Sequence, residues 1–369
     1  MLPKRNEDVA SQPKKNYVYV RAIESEGYGL LEQVRELRAR PRIIHIAEKP
    51  WRGGPQSYST GVLDPADDTI QSLHIHQELL APGSVTEKHG HQNEALFYIL
   101  EGRGYDIHDG ERVEWEAGDV TLIRGSCVHQ HFNGNPDRPA RALAIKAKPL
   151  FLLLGLTLQY DVIGKPKEHS ATSKGFQPEY WPSRYAREEA AAYAKGNLTA
   201  RYYDERIGRA QSSATHARQS EGKKMLLKPE DMPWENSAQG KLKHLLNEQM
   251  GAASTAIDMY IQELAPSGRS GKHVHSAEEA FFVIEGHGYD LHWDMELVLR
   301  DSYERRIPEE AKRVEWGIGD LVVIPSNVIH QHFNSDAVSR ARILSVQCRT
   351  YKYLGYGDID QIEDAPRIS

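Results

Sequence analysis

Histidine is the residue whose spacing carries chemistry in this chain. Seventeen are present, and His89 and His91 stand two apart, as do His273 and His275. In an extended strand residues i and i+2 share a face, so each pair presents two imidazoles side by side. A third imidazole must come from another strand. His129 and His330 are the sources, each closing a strand that begins at a Gly-Asp turn, Gly118-Asp119 and Gly319-Asp320. In the second set Glu279 lies four beyond His275, same-facing in a regular strand. Imidazole and carboxylate suit Fe, Mn, Zn, Ni or Cu, and a set that leaves coordination positions open suits Fe(II) and O2 chemistry. One His-x-His pair is more often an exposed strand face. Two pairs in register, each with the same distant histidine, reverse those odds.

The two sets differ. Ala95 stands in the first where Glu279 stands in the second, and Glu94, one residue early, belongs on the opposite face. The first set is then His89, His91 and His129; the second is His273, His275, Glu279 and His330. His131 and His332 repeat the i, i+2 geometry and point inward beside the ligands. With Gln130 they are the candidate catalytic groups, acid/base residues or orienters of a ligand, and a structural histidine is an equal alternative. His108 and His292 read as structural, and either His74 or His76 could line the pocket. Arg103, Arg124 and Arg141 are candidates to hold a substrate carboxylate near the first set.

The elements that position these residues come from a duplication. APGSVTEKHGHQNEALFYILEGRGYDIH from Ala81 is matched by APSGRSGKHVHSAEEAFFVIEGHGYDLH from Ala265. VEWEAGDVTLIRGSCVHQHFN from Val113 is matched by VEWGIGDLVVIPSNVIHQHFN from Val314. The offset grows between the blocks, so the second copy holds an insertion within Met295–Ala311, expected as an excursion from a hairpin. Short aromatic and branched runs ended by Glu-Gly or begun by Gly-Asp argue all-β barrels or jelly rolls. The expected division is a tail and helical arm over 1–40, a first domain over 41–155, a linker over 156–224 and a second domain over 225–369. Helices are expected in the arm around Leu30, Leu31, Val34 and Leu37, and in the linker around Ala186–Tyr193.

Bulk composition excludes other classes. A net charge of -6 advertises no nucleic-acid face. The longest apolar run, Leu150–Leu158, is half a membrane span. Two cysteines, Cys127 and Cys348, exclude a disulfide framework and favour a reducing, cytoplasmic setting.

These residues resemble the cupin superfamily. His273, His275, Glu279 and Gly286 fit its first motif, and Gly319, Asp320, Pro325 and His330 its second; the first copy fits with Ala95 for glutamate and Arg124 for proline. The resemblance implies tandem double-stranded β-helix barrels. More narrowly the chain resembles the gentisate 1,2-dioxygenase and salicylate dioxygenase group of bicupins, whose first cupin carries Fe(II) on three histidines with a small residue in place of glutamate. That implies O2-dependent cleavage of a ring bearing hydroxyl and carboxylate groups, and a homo-oligomer. Gly90 and Gln130 replace residues usual in that group, and the second site is intact where the group's is degenerate; a substrate other than gentisate follows. The competing readings are a non-redox cupin using Mn, Zn or Ni as a Lewis acid for isomerisation, hydrolysis or decarboxylation, and a storage or binding protein.

Overall fold

The computed structural model describes residues 30–54, 56–65, 68–156, 159–161, 176–180, 223–254 and 256–366. The linker helix expected around Ala186–Tyr193 lies outside the described residues. The arm helix runs Leu30–Ala39.

Each half is built from a seven-stranded and a five-stranded antiparallel sheet. In the first half the long sheet orders Val120–Ile123, Ala95–Glu101, Ala140–Lys146 and His74–Leu80 side by side. The short sheet sets His89–His91 beside Cys127–Asn133, followed by Arg103–His108. The second half repeats the plan with Asp320–Ile324, Glu279–Glu285, Ala341–Cys348 and Ile257–Leu264, faced by Lys272–His275, Val328–Asn334 and His287–Asp294. The insertion is a hairpin of its own, Glu296–Leu299 against Tyr303–Arg306.

Strand Ala95–Glu101 is buried at all seven positions because both its faces are covered. Phe97 and Ile99 join Leu80, Trp115 and Ala144 inside the barrel. Leu96, Tyr98 and Leu100 join Ile257, Met259 and Phe282 of the other half in one shared core. The outer faces of the two long sheets therefore pack on each other, which is why these strands read as continuous apolar runs rather than alternating ones.

The halves also trade strands. Ile43–His45, which leads the first half, pairs with Asp320–Ile324 of the second. Leu226–Leu227, which leads the second, pairs with Val120–Ile123 of the first. Packed units thus cross the positions, 41 and 225, where the sequence divides.

Two glycines in each copy shape the turn below the site. Gly102 and Gly286 have φ of 90° and 85°, a left-handed conformation open to glycine at little cost. A side chain at Gly104 or Gly288 would overlap the ring of Trp115 or Trp316. That close approach lets each indole N–H reach a buried aspartate, Asp106 or Asp290, at 2.8 Å.

Candidate metal centres

His89 and His91 lie on one strand and His129 directly across from His89 on the next. All three side chains are buried, and their ring nitrogens lie within 4.8 Å of one another. His273, His275 and His330 form the same cluster in the second half, with His273 paired to His330. The i, i+2 argument holds in both copies.

Main-chain carbonyls fix the rings. Each Nδ1 faces a carbonyl two residues away: His89 to Glu87 at 3.2 Å, His91 to Asn93 at 2.5 Å and His129 to Cys127 at 3.2 Å. The second copy repeats it, with His273 to Gly271 at 3.2 Å, His275 to Ala277 at 2.7 Å and His330 to Val328 at 2.9 Å. A carbonyl only accepts, so Nδ1 carries the proton and Nε2 keeps its lone pair for the centre of the cluster. Burial first, and neighbouring positive charge second, pushes the pKa of His89 and His273 down to about 4 and of His91 to about 3. His129 and His330 fall well below the usual histidine value for the same reasons. These imidazoles are neutral at physiological pH, the form that binds a metal.

The second cluster gains a carboxylate. Glu279 opens the strand after the turn, and its Oε2 lies 3.1 Å from His275 Nε2. With Nδ1 protonated, that contact sets a lone pair against a carboxylate, so a cation belongs between them. Tyr260 donates to Glu279 Oε1 at 3.0 Å and Gln347 to Oε2 at 2.6 Å. Burial alone would raise the Glu279 pKa; the hydrogen bonds and positive charge gathered around the carboxylate outweigh it and hold it at about 2. His330 Nε2 is buried without a hydrogen-bond partner. The donors present therefore fit a divalent metal in each half, three imidazoles in the first and three plus a carboxylate in the second.

Glu94 points out of the first barrel. Its Oε1 accepts from Ser254 Oγ at 2.8 Å and from the Ala256 N–H at 2.6 Å, so no bulge turns it toward the histidines.

Residues 76–146 match the Cupin domain family, and residues 217–361 match the family described as Auxin binding protein. Among solved structures, a Bacillus subtilis oxalate decarboxylase mutant superposes with a TM-score of 0.55 at 13% identity, covering 84% of this chain and 77% of that one. A Lactobacillus farciminis oxalate decarboxylase in complex with formate gives 0.55 at 14% identity, covering 89% of each. At these identities the likeness is one of fold. The fold is that of a bicupin. Among curated proteins, the chain is 23% identical over 338 residues to gentisate 1,2 dioxygenase 1 of Aquipseudomonas alcaligenes, 90% of this chain and 85% of that protein. It is 27% identical over 88 residues to 5-aminosalicylate 1,2-dioxygenase of Comamonas sp, spanning 24% of this chain and only 23% of that protein.

Around the bicupin's triads, His131 and His332 sit one strand step past His129 and His330, with ring centroids 5.3 and 5.5 Å away. Each is bonded through Nδ1 to the buried aspartate, at 2.8 Å to Asp106 and 2.9 Å to Asp290. Burial works against a proton on either ring, and the adjacent aspartate outweighs it, raising both pKa values. The cavity beside His131 holds about 20 Å³, room for one water.

Three sequence expectations need correction. Gln130 alternates outward, and its amide is spent on the Thr86 carbonyl at 2.8 Å. Arg103 is exposed on the outer surface, on a groove with Tyr105 and Arg112. Arg124 pairs with Asp109 at 2.9 Å, held by the turn rather than aimed at the triad. Arg141 does turn inward, but toward Glu101 and the small cavity at His131. Both His74 and His76 line a cavity of about 510 Å³ on the inner face of the first barrel's long sheet, the face shared by their cross-strand partners Lys146 and Ala144. His108 and His292 are fully buried partners of Asp106 and Asp290, at 3.4 and 3.2 Å, as structural histidines should be.

Several residues escaped the sequence reading. Asp106, Asp290, Trp115 and Trp316 stand in the repeated blocks, and their recurrence was the available signal. Tyr260 and Gln347 line a cavity of about 480 Å³ that opens onto His275. Arg42, at the head of the first half, crosses to bond His292 at 3.3 Å and Asp294 at 2.5 Å.

Proposed function

We propose that this bicupin is a non-haem Fe(II)-dependent dioxygenase that cleaves a hydroxylated aromatic carboxylate with O2. The observation that carries the reading is the asymmetry of its centres. In the first, Ala95 leaves a three-histidine face with no carboxylate ligand, and curated relatives named as 1,2-dioxygenases match this chain.

In this reading His89, His91 and His129 hold Fe(II) in the first barrel, and His273, His275, Glu279 and His330 hold a divalent metal in the second. When bound, Fe(II) supplies open coordination positions and the redox capacity that ring cleavage with O2 requires. The chain's own residues do the rest. Main-chain carbonyls at Glu87, Asn93 and Cys127 lock the ligand tautomers. Asp106 holds His131 in place through Nδ1 at 2.8 Å, on the same strand as the ligand His129 and in position to take up or give a proton. Apolar Phe97 packs against the His131 ring, centroid to centroid at 4.8 Å.

A second reading has its own support. The three-histidine-one-glutamate set of the second barrel, together with a fold like that of oxalate decarboxylases, favours Mn, Zn or Ni as a Lewis acid in a non-redox reaction. Oxygen uptake by iron-loaded protein, tested across hydroxybenzoates and hydroxynaphthoates, separates the two. Uptake with ring-opened product supports the first; none with any member defeats it.

A further inference from the structure

The two barrels differ most where a substrate oxygen would enter. In the second, Gln347 stands across from Glu279 in the sheet register, and its amide lies 3.3 Å from His275 Nε2. The equivalent in the first barrel is Lys146: it pairs with His74 as Gln347 pairs with Asp258, and 74 and 258 are equivalent positions of the repeat. The register that sets Ile145 opposite Leu96 sets Lys146 opposite Ala95. Ala142 and Ala144, which alternate with its neighbours, both face the barrel interior, so the Lys146 side chain enters it too.

The substitutions are complementary in charge. The second barrel puts a carboxylate and a neutral amide beside its imidazoles. The first removes the carboxylate, leaving the volume of Ala95, and replaces the amide with an ammonium on a longer stem. Among the described residues Lys146 makes no ion pair within 4 Å. The acid whose charge acts on it, Glu78, stands opposite Ala142, four residues along the strand, and is held by His76 at 2.7 Å. After burial, the Lys146 charge is the strongest influence lowering the His91 pKa, so the ammonium lies within electrostatic reach of that ligand.

We propose that Lys146 and the space left by Ala95 form an anion subsite that takes the carboxylate of the substrate beside the first metal centre. A substrate carboxylate would occupy the place that the protein's own carboxylate takes in the second barrel. The substrate class is then an aromatic acid whose hydroxyl lies next to the carboxylate, and the second barrel, with Glu279 in that place, rejects it by like charge. The inference deepens the dioxygenase reading and rests on it for the identity of the ring.

The test is an anaerobic calorimetric titration of the full-length, Fe(II)-loaded protein with salicylate and with phenol. Lys146→Gln, which copies the second barrel, should weaken salicylate about tenfold or more, the size of one lost charge-assisted hydrogen bond, and leave phenol unchanged. Lys146→Arg should stay within about threefold of the wild type. Equal iron content and thermal midpoint certify the fold, and Lys146→Met serves the same comparison if the glutamine variant does not accumulate. Salicylate binding that is absent in the wild type, or that survives loss of the ammonium, overturns the subsite. Failure of the dioxygenase reading looks different: salicylate binding that depends on Lys146, with no oxygen consumed in air.

Discussion

Glu94 and Glu278 are mates across the two halves, each reaching out of its own barrel to hold main chain of the other. Glu94 takes the Ala256 N–H at 2.6 Å; Glu278 takes the Gln71 and Ser72 N–H groups at 2.8 and 2.7 Å. Each glutamate sits just after a metal-ligand strand, so it ties that loop to the opposite barrel. Glu94→Ala orphans two buried donors, Ser254 Oγ and the Ala256 N–H, at about 1–3 kcal/mol each. Denaturant unfolding should show a loss of about 2–6 kcal/mol, and a loss within a few tenths would refute the clamp.

Metal content is the most direct check on the triads. His91→Ala should lose the metal of the first barrel and keep that of the second, and His275→Ala the reverse, by elemental analysis of purified protein. If neither variant lowers bound metal, both centres are misassigned.

Restoring the missing carboxylate should separate binding from turnover. Ala95→Glu sets an acid opposite Lys146, where it satisfies the ammonium and fills the space beside His91. The expected outcome is retained metal with oxygen uptake lowered by about a hundredfold, the scale of removing one positioned group at a reaction centre. Undiminished uptake would count against the first barrel as the active one.

A pH effect belongs to Lys243. Its ammonium is buried, donates to the Pro229 carbonyl at 2.9 Å, and has a pKa lowered to about 8, chiefly by burial and then by the Arg342 charge. Between about pH 8 and the usual lysine value near 10.4 the unfolded chain binds the proton and the folded one releases it, so stability rises with pH there. Wild-type stability should therefore gain up to about 3 kcal/mol relative to Lys243→Met across that window. Parallel curves for the two proteins would contradict it.

Much of the fold and of both clusters was legible in the chain itself, for physical reasons. Strand periodicity is local, so His89 with His91, and His273 with His275, could be set on one face without coordinates. The repeat then supplied the long-range partners His129 and His330, because two copies in register act as their own comparison. The hairpin insertion surfaced as a change of offset. What stayed hidden depends on depth and direction across strands. Arg103 and Arg124 are near the triad along the chain, yet alternation and the turn at Asp109 aim them elsewhere. Lys146 and Gln347 are distant along the chain, and only sheet register brings them to the imidazoles. Arg42 was unreadable because it acts in the half it does not belong to.

That crossing has a wider consequence. Ile43–His45 and Leu226–Leu227 each complete the sheet of the other half. Crossed arms of this kind are what separate subunits exchange in a domain-swapped pair, where assembly depends on concentration. Here the swap is written into one polypeptide, and each arm reaches its acceptor at the high effective concentration of a tether. The one-to-one ratio of a three-histidine centre to a histidine–glutamate centre is thus guaranteed at any dilution, leaving the two free to specialise without ever losing each other.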